Sequence, residues 1–129
     1  MTQEEKDLLL KDLCARLLYG VVVGTTDNDG SLPNFWTLDS YNHLTEDVFI
    51  TNCELNADRL TDFCDVRPYL FPMSSMTEEQ KQEYLNTCDE YCAYCWTKET
   101  FDWYNKNHFD YRGLIEKGLA IDATGLNIY

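Results

Sequence analysis

Of the residues able to do chemistry, the cysteines carry the sharpest spacing. There are six, at positions 14, 53, 64, 88, 92 and 95, and the last three read Cys88-x3-Cys92-x2-Cys95. Three thiolates at such intervals could serve as soft metal ligands, with His108 the nearest imidazole to complete a tetrahedral zinc site. The intervals are also i, i+4 and i+7, one face of a helix. A helical stripe spreads its sulfurs along about 10 Å, where zinc needs them to converge. Three small apolar side chains on a buried helix face therefore explain the pattern best, with no metal and no cofactor. Cys88, Cys92, Cys95 and His108 stand as the metal-binding alternative. Cys14, Cys53 and Cys64 each adjoin apolar residues, as in Asp62-Phe63-Cys64, and are expected to be reduced thiols packed in the core.

The same cysteine spacing marks radical enzymes that hold an iron–sulfur cluster and S-adenosylmethionine. There it lies on a loop of a large barrel, which 129 residues with few strand-like runs cannot build. Asp27-Asn28-Asp29-Gly30 opens like a calcium loop, yet leucines, Leu32 and Leu38, stand where that loop needs glycine and a bidentate glutamate. A hairpin turn accounts for these residues without a cation. The two histidines, His43 and His108, lie in different halves, and no spacing joins either to a nucleophile. His43 reads as a loop residue and His108 as a helix-end residue, where positive charge is favoured. Phosphate-cradling loops, dinucleotide fingerprints and nucleophile elbows are missing from the sequence, so no enzymatic activity is expected.

Aromatic residues offer a different chemistry. Nine rings fall between Tyr84 and Tyr111, among them Tyr91, Tyr94, Trp96, Phe101, Trp103, Tyr104 and Phe109. Short helices bury one face only, so some of these rings are expected at the surface, where large amphipathic rings anchor protein interfaces. Trp96, Trp103, Tyr104 and Tyr111 are the candidate interaction residues.

The elements that must position them follow from periodicity. Thr2 with Glu5 fits a capping box, and Leu9, Leu10, Leu13, Cys14, Leu17 and Leu18 recur at helical spacing before Gly20, predicting a helix over 3–19. A β-rich middle over 21–72 follows, with runs at Val21–Val23, Phe35–Leu38, Val48–Thr51 and Val66–Phe71 separated by Asp, Asn, Gly and Ser. These suggest a small antiparallel sheet or half-open barrel. Pro68 and Pro72 cannot donate to a ladder, which puts the last run at an edge or takes it out of the sheet. A helical C-terminal half over 77–120 is expected to pack on the sheet. Thr77 would cap a helix presenting Tyr84, Leu85, Cys88, Tyr91, Cys92 and Cys95 on one face, Thr97 a short helix with Phe101, Trp103 and Tyr104, and Asp110 another with Leu114 and Ile115, closed by Gly118. The tail beyond shows no obvious structure. This is one α+β domain of 129 residues.

Charge narrows the partners. With 23 Asp and Glu against 10 Lys and Arg, the net charge is -13 and no block of the chain is basic. That argues against direct nucleic-acid binding and against anionic membranes, and for attraction to basic protein surfaces. No run is long and apolar enough to span a bilayer, and Met1-Thr2-Gln3-Glu4-Glu5 lacks the order of a signal peptide, so a soluble cytoplasmic protein is expected.

The segments Lys11-Asp12-Leu13-Cys14-Ala15-Arg16-Leu17 with Tyr19-Gly20-Val21, Asp65-Val66-Arg67-Pro68-Tyr69-Leu70-Phe71-Pro72-Met73-Ser74-Ser75-Met76-Thr77, and Phe101-Asp102-Trp103 through His108-Phe109-Asp110-Tyr111-Arg112-Gly113-Leu114-Ile115-Glu116-Lys117-Gly118-Leu119-Ala120 carry a likeness. They resemble segments of a group of small uncharacterised proteins encoded by gut bacterial phages and prophages. The resemblance implies a phage setting, where small acidic proteins act as accessory factors on host proteins, and it supplies no functional residue. The expected function is non-enzymatic binding to a host or phage protein, with inhibition of a host defence or nucleic-acid-handling protein as one form. A small ligand- or metal-binding module and a mimic of the DNA surface are the alternatives.

Overall fold

A computed structural model describes residues 1–28, 30, 33–88 and 96–129. The fold is α+β: an N-terminal helix, an open six-stranded sheet and C-terminal helices. Helix α1, Gln3–Arg16, starts where the Thr2 side chain accepts from the Glu5 amide, and a 3-10 turn at Leu17–Tyr19 leads into Gly20, whose φ of 65° reverses the chain. Its buried face is Leu9, Asp12, Leu13 and Arg16, at i, i+3, i+4 and i+7. The expected leucine–cysteine stripe is thus rotated: Cys14 is exposed and Leu18 is 91% exposed, because a charged pair takes the inward positions.

The strands are β1 Val22–Thr25, β2 Trp36–Asn42, β3 Asp47–Asn52, β4 Ala57–Asp62, β5 Val66–Leu70 and β6 Ile121–Asp122, in the order β4-β3-β2-β1-β5-β6. All neighbours are antiparallel except β5 and β6, where Tyr69 pairs with Ile121 in parallel, so the sheet is mixed and does not close into a barrel. The supposedly unstructured tail supplies β6. Strand β5 lies inside the sheet rather than at its edge. Thr26 donates to the Asp65 carbonyl, and counting along the ladder in twos leaves Pro68 in a non-hydrogen-bonded pair with Val23. Its missing donor therefore points away from β1, to the side where β6 pairs only with Tyr69 and Leu70.

One face of the sheet is the core: Val21, Val23, Trp36, Leu38, Val48, Ile50, Val66 and Leu70 pack with Leu9 and Leu13 of α1 and with Leu114 and Leu119. Strand β4 was not visible in the periodicity, since Ala57-Asp58-Arg59-Leu60-Thr61-Asp62 is mostly polar, and hairpin pairing to β3 supplies what propensity does not. It forms the outer edge, and pairing a second copy antiparallel about Leu60 would set Asp58 against Asp62, which discourages edge-to-edge association.

Helix α2, Glu78–Leu85, carries the expected capping box between Thr77 and Gln80 but stops at Leu85 instead of running on to Cys95. The Thr87 hydroxyl donates to the Tyr84 carbonyl at 2.6 Å, and the Thr87 carbonyl accepts from Thr97 and Thr100, diverting the chain. Helix α3, Lys98–Lys106, begins at the Thr97 cap. The helix expected after Asp110 is replaced by successive turns. Gly113 at φ 73° breaks the helical path, and the Asp110 carboxylate takes the amides of Leu114 and Ile115 at 2.8 and 2.9 Å. No helix among the described residues is long and apolar enough to cross a membrane.

Candidate functional site

The end of α3 organises the region. The His108 amide donates to the Asn105 carbonyl and the Phe109 amide to the Tyr104 carbonyl, a helix termination that requires the residue between to be left-handed. His108 fills that place, usually glycine's, at φ 62°. Its imidazole is buried and stacks on Tyr129 with centroids 3.6 Å apart and planes 13° apart. The Tyr129 hydroxyl donates to the Tyr69 carbonyl at 2.7 Å and accepts from the Val22 amide at 2.9 Å, tying the last residue across the sheet. His108 is therefore not the charged helix-end residue expected: burial, and then the neighbouring Arg16 charge, push it down to about 4 and keep it neutral.

Beneath α1 lies an ionic cluster. Asp12 accepts from Arg16 Nε at 2.9 Å and Nη2 at 3.0 Å, and from Arg112 Nη1 at 2.8 Å; Arg16 Nη2 also donates to the Phe109 carbonyl at 2.6 Å. Asp12 and Arg16 are fully buried, whereas the Arg112 side chain is partly exposed, at 15%. Arg16 Nη1 and His108 Nδ1 have no hydrogen-bond partner among the described residues. Two guanidinium groups on one carboxylate leave the cluster with net positive charge inside a strongly acidic protein. Both cations face the ring of Tyr111, Arg112 at 4.5 Å and Arg16 at 5.4 Å from its centroid.

This cluster supports a groove of about 570 Å³ between α1 and α3. Leu8 and Lys11 line it from α1, Phe101 and Asn105 from α3, Trp96 from the segment before α3, and Tyr111 with Arg112 from the turns after it. Trp96 and Phe101 remain 42% and 39% exposed, large for rings of this size. They meet edge to face at 5.5 Å, and Tyr111 lies 5.5 Å from Phe101 and 6.4 Å from Trp96. The Tyr111 hydroxyl donates to Asn105 Oδ1 at 3.0 Å, which orients that amide and leaves its NH2 end as a donor.

Of the four candidate aromatics, Trp96 and Tyr111 are thus brought together at one opening. Tyr104 is 1% exposed and belongs to the core, stacked on Tyr111 at 5.4 Å and Tyr84 at 6.0 Å; burial pushes its hydroxyl up to about 12. It sits on the inward face of α3, which the expected interaction role did not allow for. Trp103 is half-buried and stacks flat on Phe109 at 5.5 Å, away from the groove. Phe101, Lys11 and Arg112 were missed as site residues. The signal available was the i+4 step from Phe101 to Asn105, which puts both on one side of α3.

For the metal alternative, Cys88 is half-buried with its thiol 3.5 Å from the Tyr84 carbonyl, His108 is held as described, and Cys92 and Cys95 lie outside the described residues. Among the described residues, no group of three or more His, Cys, Asp or Glu side chains could hold a metal ion. Cys53, like Cys14, is exposed, correcting the expectation of buried thiols; it follows Asn52 in the β3–β4 turn, where neighbours cannot cover it. At the Asp27 turn, Asp27 pairs with Arg59 and Gly30 donates to Asn28 Oδ1 at φ 95°. His43 is exposed in the β2–β3 turn. A second hollow of about 520 Å³, lined by Phe35, Trp36, Thr51 and Leu55, includes no cation. No protein-family model matches this chain, and neither a curated protein nor a solved structure does.

Proposed function

We propose that the protein acts by non-enzymatic binding to another protein, with the groove between α1 and α3 as its anchor. The supporting observation is the pair Trp96 and Phe101, left open on a rigid support: behind them stand Tyr104, Tyr111 and an ion cluster that fixes α1 to the C-terminal turns. A rigid aromatic opening loses little entropy on binding and is the composition of interface hot spots. The resemblance to small phage-encoded proteins points to a bacterial host protein, or a phage protein, as partner.

The charge of -13 gives the partner a second property, a basic surface around the contact. Association should then slow as salt rises, since screening acts within about 8 Å at physiological ionic strength. A photo-crosslinking amino acid in place of Phe101 would trap the partner, and binding of that purified partner to Trp96→Ala tests the site. Loss of affinity with an unchanged melting temperature supports the reading. Undiminished affinity, or an association rate indifferent to salt, counts respectively against the groove and against steering.

A further inference from the structure

The groove is cationic where the protein is acidic. Arg112 holds one nitrogen on Asp12 at 2.8 Å, its only side-chain hydrogen bond among the described residues, so its position is set while the rest of the guanidinium stays available. The Tyr111 ring lies under it, and Lys11, exposed one turn along α1 from Leu8, makes no ion pair among the described residues. Asp12, the carboxylate that Arg112 touches, already accepts from two arginines. The other half of the lining is apolar: Leu8, Trp96 and Phe101. A ligand matching both halves carries an anion beside a flat or bulky apolar group. One preset guanidinium with one mobile ammonium suits a single carboxylate, which a guanidinium meets in a planar, charge-assisted geometry.

Resting on the protein-binding reading, we infer that the groove takes a peptide segment of the partner in which an aspartate or glutamate adjoins an aromatic or large aliphatic residue. The carboxylate sits on Arg112 and Lys11, and the apolar side chain lies against Trp96 and Phe101. The partner's basic surround, drawn by the overall acidity, brings this single acidic anchor to a groove that presents Arg112 and Lys11.

The experiment titrates the intact protein with two capped peptides, acetyl-Ala-Phe-Glu-Ala-amide and acetyl-Ala-Phe-Gln-Ala-amide, followed by amide and indole NMR shifts. The expected result is movement of the Trp96, Phe101, Asn105 and Arg112 signals, with the glutamine peptide weaker by about tenfold, the scale of one hydrogen bond to a charged group. Arg112→Gln should erase that preference while Phe101→Ala weakens both peptides. Lys11→Gln, at an exposed position that cannot disturb folding, should shrink the preference by itself. Equal binding of the two peptides, a preference untouched in both Lys11→Gln and Arg112→Gln, or no movement of groove signals at millimolar peptide overturns the inference. The broader reading fails separately, when the crosslinked partner binds Trp96→Ala as it binds the unaltered protein.

Discussion

The junction of the two chain ends and the β2–β4 hairpins are built on opposite principles. At the junction, residues about a hundred positions apart meet, as Asp12 does with Arg112, and the polar groups are buried. In the hairpins each strand pairs with the next in sequence, the turns are closed by side chains such as Asn42 to the Leu44 amide and Asn52 to the Leu55 amide, and Leu44, Leu55 and Leu60 face solvent. Charge does different work in each. Arg59 and Asp27 pair in the open, where an ion pair contributes little, whereas Arg16 and Asp12 are held without water and each depends on the other. The junction is thus specific and brittle, the hairpin region local and tolerant, and the groove sits on the first.

The largest expected break is at the carboxylate. Asp12→Ala strands two arginines and should lower unfolding free energy by about 3–5 kcal/mol in denaturant titrations, while Arg59→Ala should leave the midpoint nearly where it was. Equal effects would erase the distinction between the regions. Next in size, Tyr104→Ala should cost about 3–5 kcal/mol as a core truncation, against about 1 kcal/mol or less for Phe101→Ala, measured the same way.

The acid limb of stability sharpens the comparison. His108 has its folded pKa at about 4, below the ordinary value of 6.5. The unfolded chain binds the extra proton first, so stability is full above about pH 6.5 and falls as pH drops towards 4, by about 3 kcal/mol in all. Asn tolerates the left-handed backbone, so the wild-type curve minus that of His108→Asn isolates this slope. A difference flat between pH 7 and 4 would mean the imidazole is not held neutral. Smallest in energy is thiol accessibility: Cys53, exposed in the β3–β4 turn, should react with a thiol reagent in the folded protein far faster than Cys64, whose thiol burial pushes up, followed by mass spectrometry of labelled peptides. Equal rates at the two would mean that the β3–β4 turn covers its thiol as well as the core side does.

What could be read from the residues was mostly local. The caps at Thr2, Thr77 and Thr97 announce their helices because the capping bond lies within one turn. The β-branched and aromatic run Val48-Phe49-Ile50-Thr51, bounded by Asp47 and Asn52, announces β3. Strand β4 and the parallel pairing of β6 escape, since each depends on a partner far away or on a hairpin rather than on its own composition. Asp12 and Arg16 resemble an ordinary solvent-facing i, i+4 pair; their phase with Leu9 and Leu13 was the available clue to burial. The groove was half legible, through Trp96 and Tyr111. Lys11 and Arg112 could not be joined to them without the fold.

The measurement closest to the central claim compares one exposed apolar residue from each region against the identified partner. Phe101→Ala should weaken binding by about 2 kcal/mol or more, with its melting temperature nearly unchanged, and Leu60→Ala should bind as the unaltered protein does. If Leu60→Ala loses the partner and Phe101→Ala keeps it, recognition belongs to the hairpin region and the groove account is wrong.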